Sequence, residues 1–252
     1  MAEFDWNSTS YQHILTSVED KVLTIMLHRP ESRNAWTEVM RNEIIEVVDD
    51  CQRDPGVRVI VITGHPDGRA FCAGMDLSGM PGGGVMPGDS HPARVGHSAF
   101  ARDGGGQASL AVARSLKPVI CAINGAAVGI GATFPCACDL RIAAADAKYG
   151  FVFGQRGLTM EGCSSFFLPR LVGMTKANDF VLTARIFECA SEADCGLFTE
   201  VVPSEKVMPR AMEIAKHMAS NVAPMSMMLN KHLILRGFAE GTYNGSLVYG
   251  VP

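Results

Sequence analysis

Residues 57–64 read VRVIVITG, a continuous apolar run that ends in a glycine. The run is too short for a buried helix, and its β-branched content is typical of a strand covered on both faces. Residues 34–54 precede it and carry apolar side chains at helical spacing, with Asn34 as the expected N-cap. Residues 11–30 alternate apolar with polar residues around a central acidic pair, which predicts a hairpin. This order predicts a parallel crossover with helices packed on a sheet.

The rest of the chain continues to alternate between strands and helices. Strands are predicted at 118–124 and 139–144, and helices at 107–117, 132–138, 175–187, 205–221 and up to 237. Nearly half of the 252 residues, 47%, are hydrophobic, so the chain can bury a large core. We therefore expect an α/β fold.

A change in composition separates two of these elements. Residues 79–106 consist mainly of Gly, Pro and small polar residues, and too few apolar side chains are present to offset the entropy of ordering them. We expect this segment to be a mobile excursion, as active-site lids often are, and not a domain linker. We divide the chain into a core over residues 1–195 and a helical C-terminal region over residues 196–252.

The net charge and the positions of the cysteines argue against several kinds of binding partner. The net charge of −4 gives no reason to expect nucleic acid or an anionic membrane as a partner. The chain contains no long apolar segment and its N-terminus lacks a signal peptide pattern, so we expect a soluble cytoplasmic protein. Eight cysteines are scattered through apolar segments without a second ligand pair near Cys136 and Cys138. Buried reduced thiols are favoured, and no metal is expected.

Two glycine-rich turns each follow a predicted strand and open a helix. They read AFCAGMDL at residues 70–77 and NGAAVGIGA at residues 124–132. Backbone N–H groups at a helix start lack acceptors within the helix and carry the positive end of its dipole. Two such groups aimed at one point would form an oxyanion hole for an enolate or a tetrahedral intermediate. The alternative is an ordinary glycine-rich connection, which is the more frequent meaning of a single turn of this kind.

Glu161 stands out among the carboxylates. Apolar Leu158 and Met160 precede it, and the small residues 162–165 lead from it into an apolar run. It either caps the following helix or faces a pocket. A carboxylate near apolar surface together with two candidate oxyanion donors would supply the parts for proton transfer beside a thioester carbonyl.

Four stretches together carry a resemblance to a known family. They are HRPESRNAW (28–36), VIVITGHPDGRAFCAGMDL (59–77), KPVICAINGAAVGIGA (117–132) and CDLRIAAADAKYGF (138–151). In this order they resemble the crotonase superfamily, also called the enoyl-CoA hydratase/isomerase family, from about residue 12 to about residue 235. The resemblance implies a spiral of ββα units with a helical C-terminal part, and a homotrimer or dimer of trimers.

The resemblance also implies a substrate and a site. Family members bind acyl-CoA thioesters, so coenzyme A is expected as part of the substrate, with no covalently bound cofactor. The oxyanion donors fall on the N–H groups of Met75 and Ile130. The residues expected to contact CoA, largely through backbone, are Ser32, Arg33, Ala35, Ala73, Asp76, Leu77 and Gly131.

The catalytic carboxylates divide the family. Where hydratases carry two glutamates, this chain has Thr133 and Phe153. The segment MEGCSS (160–165) instead resembles the PEGCSS stretch of Δ3,Δ2-enoyl-CoA isomerases, in which the glutamate shuttles a proton. A single base suffices for this reaction, whereas adding water suits paired carboxylates. Desolvation by apolar neighbours is expected to raise the pKa of Glu161 towards the range useful for a shuttle.

Three functions stay open on the sequence. Isomerisation of an enoyl-CoA, with Glu161 as the acid/base, is favoured. Enoyl-CoA hydratase (lyase) activity in the breakdown of fatty acids or related acyl groups is the alternative within enzymes. A non-catalytic CoA-binding protein is the alternative of another class, and it is favoured by a chain that ends earlier than typical relatives. The acyl chain and the pathway are not evident from the residues.

Overall fold

The computed structural model describes residues 5–7, 11–78 and 103–240. Within these ranges the chain forms ten β-strands and six α-helices. They are β1 Ile14–Glu19, β2 Val22–Leu27, α1 Glu38–Cys51, β3 Val59–Gly64, β4 Ala70–Cys72, α2 Gly104–Arg114, β5 Val119–Ile123, β6 Ala126–Val128, α3 Ile130–Thr133, β7 Leu140–Ala144, β8 Lys148–Gly150, α4 Ser164–Thr183, β9 Ile186–Glu188, β10 Glu200–Val202, α5 Val207–Asn221 and α6 Pro224–Glu240. The mixture of helices and parallel strands confirms the α/β prediction.

The larger sheet has six strands in the order β1, β2, β3, β5, β7, β10. β1 and β2 form the predicted antiparallel hairpin, and every other neighbouring pair in this sheet is parallel. All residues of β3 and β5 are buried, which explains their continuous apolar sequences. The run 57–64 therefore supplies a central strand.

A smaller sheet has four strands in the order β4, β6, β8, β9. The chain passes from the larger to the smaller sheet three times, from β3 to β4, from β5 to β6 and from β7 to β8. A helix follows each passage, namely α2, α3 and α4. These are the ββα units that the resemblance implies, and their repetition aligns the ends of β4 and β6 side by side.

Helix α1 begins later than the sequence predicts. Thr37 is its N-cap and accepts a hydrogen bond from the backbone N–H of Met40 at 3.1 Å. Asn34, the expected cap, is fully buried with a positive φ of 53°, and its side-chain amide donates to the carbonyls of His65 and Ala70. Asn34 therefore joins the loop before α1 to β4 instead of capping the helix.

Helix α2 begins earlier than predicted. Gly104 is its first residue and Asp103 its N-cap, so the glycines at 104–106 belong to a helix and not to the expected excursion. Gly105 and Gly106 are buried. The excursion over residues 79–106 was thus extended too far, and its remainder, residues 79–102, lies outside the described residues.

The region after residue 196 contributes a strand as well as helices. β10 pairs with β7, and α5 packs on the larger sheet through buried Ala211, Ala215 and Ala219. Lys231 of α6 forms an ion pair with Asp139 at 2.9 Å. The C-terminal helices thus pack directly on the core.

The residues that the structure describes contain neither a membrane-spanning helix nor a cluster of metal-ligating side chains. No helix among them is long and apolar enough to cross a membrane. No group of three or more His, Cys, Asp or Glu side chains among them is arranged to hold a metal ion. The eight cysteines all lie in the described ranges, where they are free thiols and six of them are buried.

Candidate active site

Two turns meet at the ends of β4 and β6. These strands are parallel neighbours, so the turns that follow them emerge on the same side. Gly74 has a φ of 104°, and a Cβ placed on it would lie 3.2 Å from the carbonyl oxygen of Val128. Gly129 has a φ of 59°, and its Cβ would lie 3.8 Å from Gly74 Cα. Glycine allows both the backbone conformation and the close approach of the two turns.

The candidate oxyanion donors lie on these turns. Ile130 is the first residue of α3, so its N–H has no acceptor within the helix. Met75 forms a bridge with Trp36, in which the Trp36 N–H donates to Gly74 at 2.8 Å and the Asp76 N–H donates to Trp36 at 2.9 Å. The bridge therefore holds the residues on both sides of Met75. The Met75 N–H itself takes no part in the bridge. The structure brings the two predicted turns together, but only the second opens a helix as predicted, because residues 73–78 form no helix.

Glu161 lies close to the second turn. Thr133, at the end of α3, donates its hydroxyl to Glu161 Oε1 at 2.5 Å. The start of α2 covers the other oxygen, since a Cβ added to Gly105 would overlap both Glu161 Oε2 and Ile130 Cδ1. The carboxyl group is thus enclosed by α2 and α3, beside the residue that carries one candidate oxyanion donor.

Glu161 does not cap the helix that follows. α4 begins at Ser164 with Cys163 as its N-cap, and the backbone carbonyl of Glu161 accepts hydrogen bonds from the N–H and the hydroxyl of Ser164. The side chain is left to face Thr133. Of the two interpretations of Glu161 from sequence, the structure excludes the cap, and the pocket stays a prediction.

The surroundings of Glu161 alter its acidity. The pKa of Glu161 is raised to about 8, mainly by burial and further by the neighbouring Asp103 carboxyl, while the Thr133 hydroxyl acts in the opposite direction. The predicted direction agrees with this pKa. Leu158 is 46% exposed, whereas Ile130 and the first turn of α2 enclose the carboxyl group.

Asp103 is the site residue that the sequence reasoning missed. Its Oδ1 accepts the N–H of Gly106 at 2.6 Å as the cap of α2, and the N–H of Gly162 at 3.1 Å. It therefore joins α2 to the loop that carries Glu161. Asp is a preferred N-cap residue, and Asp103 stands four residues before the helix predicted at residue 107, so this signal could have identified it.

The residues expected to contact CoA lie on two joined turns and one buried position. Ala73 donates its N–H to the Arg33 carbonyl at 3.2 Å, which holds residues 32–35 against residues 73–77. Arg33, Ala73 and Leu77 are exposed, Ser32 and Asp76 are partly buried, and Ala35 is buried. Gly131 is also buried, and a Cβ there would overlap the carbonyl oxygen of Cys72.

Asp76 is engaged within the protein. It forms an ion pair with Arg29 at 2.7 Å and accepts the Ser78 N–H at 2.9 Å. Hydrogen bonds from Ser78, together with Arg29, lower the pKa of Asp76 to about 2. These contacts stabilise the turn that follows Met75. Gly131 in turn has a packing role, and its contact with CoA stays a prediction, as do those of the other six residues.

The family resemblance places the two hydratase glutamates at Thr133 and Phe153, and these two residues have different surroundings in this structure. Thr133 is fully buried and bonded to Glu161. Phe153 is partly buried in the 3-10 turn Val152–Arg156. The first position therefore still belongs to the site, with a hydroxyl in place of a carboxyl group.

Comparison of the whole sequence with known proteins identifies a family. A family model described as Enoyl-CoA hydratase/isomerase matches residues 17–236. The chain is 35% identical over 236 residues to Enoyl-CoA hydratase ACTT3 of Alternaria alternata, and the match covers 92% of this chain and 76% of that protein.

Solved structures give the same result. The crystal structure of enoyl-CoA hydratase from Bacillus anthracis aligns with a TM-score of 0.80 at 28% identity, covering 95% of this chain and 92% of that one. The structure of a monofunctional enoyl CoA isomerase from M. smegmatis aligns with a TM-score of 0.75 at 27% identity, covering 93% and 98%. The names of these similar proteins include both hydratase and isomerase.

Proposed function

Because the chain belongs to the enoyl-CoA hydratase/isomerase family, we propose that it moves the double bond of an enoyl-CoA thioester from position 3 to position 2. The observation that carries this proposal is the placement of Glu161. Its carboxyl group is enclosed beside Ile130, and the position of the first hydratase glutamate holds Thr133, which donates to Glu161. The site thus has one enclosed carboxyl group where the isomerisation needs a single base.

The proposed reaction uses Glu161 twice. The Glu161 carboxylate takes a proton from C2 of the 3-enoyl thioester, and the electron pair moves into a dienolate whose oxygen is negative. The N–H groups of Met75 and Ile130 donate to that oxygen. Glu161 then returns the proton at C4, which leaves the double bond between C2 and C3. No net proton or water is consumed.

The raised pKa of Glu161 suits this exchange. A shuttle must take and release a proton with similar ease, and a pKa of about 8 lies close to neutral pH. The free enzyme needs the carboxylate form, so kcat/KM should rise with pH up to the pKa of Glu161. The Thr133 hydroxyl favours that ionised form, because it donates to the carboxylate.

Hydration of a 2-enoyl-CoA is the second candidate, and Asp103 favours it. Asp103 adds a carboxyl group close enough to influence the acidity of Glu161, although it comes from another position than the hydratase glutamates. Two carboxyl groups at one site match the need to activate water and to manage a proton. The similar protein from Alternaria alternata also bears the name of a hydratase.

The proposal includes the mode of CoA binding, the oligomeric state and the location of the protein. Coenzyme A would be held by the backbone of the turns 32–35 and 73–77, and the exposure of Arg33, Ala73 and Leu77 supports this role. Assembly as a homotrimer or a dimer of trimers is proposed from the family resemblance, and a cytoplasmic location is proposed from the sequence composition. The acyl chain is left undefined.

The test is a paired assay on wild type and Glu161→Gln. One substrate is a 3-enoyl-CoA followed for formation of the 2-enoyl isomer, and the other is a 2-enoyl-CoA followed for loss of its conjugated double bond. We expect isomerisation by the wild type and a loss of about 10²- to 10⁴-fold in the variant, as for removal of a general acid/base.

The other outcomes are equally informative. Hydration without isomerisation by the wild type would replace the proposal with the second candidate. Turnover of the 3-enoyl substrate that survives in Glu161→Gln would show that the acid/base is another residue. Silence on both substrates by a folded protein that binds CoA would support the non-catalytic alternative.

A further inference from the structure

A second carboxyl group reaches the site from the start of α2. The Asp103 side chain accepts two backbone hydrogen bonds on one oxygen, from Gly106 in α2 at 2.6 Å and from Gly162 at 3.1 Å. Gly162 directly follows Glu161. A cap of α2 alone would need only the first bond, so the second one gives Asp103 a separate link to the Glu161 loop.

Helix α2 also fits the Glu161 carboxyl closely. A Cβ on Gly105 would overlap Glu161 Oε2, so the first turn of α2 leaves room for that oxygen only because residue 105 is glycine. A Cβ on Gly162 would lie 2.7 Å from Thr133 Oγ1, so the loop is equally close to α3. The Glu161 carboxyl therefore sits between the Thr133 hydroxyl on one side and the Asp103 end of α2 on the other.

The charges around Glu161 make Asp103 the group of interest. From β4, Cys72 faces the site, and burial raises its pKa to about 12, so it is a neutral thiol at neutral pH. Arg41 of α1 approaches Gly104, and Cys163 on the loop contacts the Gly106 carbonyl. Asp103 raises the pKa of Glu161 both by its charge and as a side-chain hydrogen-bond partner, after the larger effect of burial.

We propose that Asp103 is a positioning residue for Glu161: it ties the Glu161 loop to α2 and shares the proton that Glu161 carries. The catalytic role of Asp103 rests on the proposed function, but its effect on the protonation of Glu161 does not. The Asp103 side chain accepts a hydrogen bond from protonated Glu161 and disfavours its carboxylate form. Glu161 thereby holds its proton more firmly between uptake and release.

The test compares Asp103→Asn with Asp103→Ala. Asparagine keeps an oxygen that can accept both backbone N–H groups and remains a good N-cap, but it removes the charge and the proton acceptor. Alanine removes the cap as well. Asp54→Asn is the matched control, because Asp54 likewise accepts a backbone bond, from Gly56, and lies with Lys117 at the opposite end of the α1 and α2 pair.

The first measurement does not depend on activity. Infrared or carbon NMR titration follows protonation of the Glu161 carboxyl, identified as the signal absent from Glu161→Gln. We expect its midpoint to move to lower pH in Asp103→Asn and to stay at the wild-type value in Asp54→Asn. An unchanged midpoint in a folded Asp103→Asn protein would overturn the inference.

The second measurement is the pH profile of kcat/KM for isomerisation. Its rising limb should move to lower pH in Asp103→Asn, with about a tenfold gain in ionised Glu161 at low pH for each unit of movement. In Asp103→Ala the limb should move likewise while the melting temperature falls. Loss of stability in alanine with an unmoved limb in both variants would show a helix cap and nothing more. A moved titration midpoint in a protein without isomerase activity would refute the proposed function and support this inference.

Discussion

The backbone part and the side-chain part of the site are built in different ways. The turns that carry Met75 and Ile130 follow two parallel strands that are neighbours in one sheet, and glycines with positive φ set their shape. Glu161, Thr133 and Asp103 come from three separate segments and meet where α2 and α3 pack on the Glu161 loop. Strand pairing therefore fixes the first part, whereas the second depends on the fit between packed elements.

This difference decides which changes each part tolerates. The backbone part presents N–H groups, so the Met75 side chain can be 42% exposed without being used, but an added Cβ at a glycine distorts it. In the side-chain part, Thr133 and Asp103 have opposite effects on the pKa of Glu161. Burial is the largest influence on its pKa, the Thr133 hydroxyl lowers the pKa, and Asp103 raises it. Small changes there should tune the reaction instead of abolishing it.

The largest effect in this comparison is expected from Gly74→Ala in the backbone part. Gly74 has a φ of 104°, and an added Cβ would lie 3.2 Å from the Val128 carbonyl oxygen, so the turn must shift and reorient the Met75 N–H. Loss of one oxyanion donor typically costs about 10²- to 10³-fold in kcat. Steady-state kinetics with a 3-enoyl-CoA measure this loss.

Gly173→Ala is the control for backbone strain. Gly173 also has a positive φ, of 75°, and no atom lies within 4 Å of its Cβ position in α4. We expect it to lower the melting temperature with little change in kcat. Equal losses of kcat in the two variants would mean that strain, and not the oxyanion turn, is responsible.

A smaller effect is expected in the side-chain part from Gly105→Ala. The new methyl group would overlap Glu161 Oε2 and Ile130 Cδ1, so the carboxyl group must move. A displacement of about 1 Å at a reacting group costs about 10²-fold in rate. The neighbouring Gly104→Ala is the matched control, because its Cβ would approach only the flexible end of Arg41, at 2.9 Å from Nη1. Similar kcat values for both variants would contradict the close fit of α2 around Glu161.

The backbone part could be predicted from sequence because its signals are local. A buried apolar strand followed by a glycine-rich turn is visible in residues 59–77 and again in residues 117–132, although of these two turns only the second opens a helix, α3. The parallel order of the strands then places both turns at one edge. The α/β fold was accessible for a related reason, since its strands and helices alternate along the chain.

The side-chain part could not be predicted to the same degree. The contact between Thr133 and Glu161 spans 28 positions, and that between Asp103 and Gly162 spans 59. Neither spacing follows a helical or strand period, so only packing reveals them. Asp103 was further hidden by the glycines after it, which resemble a loop in composition yet form the buried first turn of α2. Asn34 was assigned wrongly for a related reason, because two of its three side-chain partners, His65 and Ala70, lie in another segment.

Thr133→Val should give the smallest change. Valine keeps the shape of threonine but cannot donate to Glu161, and the lost bond is one that favours the carboxylate. The pKa of Glu161 should therefore rise above its value of about 8, and the rising limb of kcat/KM should move to higher pH. A hydrogen bond to a charged group contributes about 1.5 kcal/mol or more, which corresponds to about a tenfold loss of kcat/KM at pH 7.

Thr133→Ser retains the hydroxyl and should keep the wild-type profile. A limb that moves to lower pH in Thr133→Val would show that the hydroxyl favours the protonated acid, whereas opposite movements in Thr133→Val and Asp103→Asn would show that the two neighbours oppose each other.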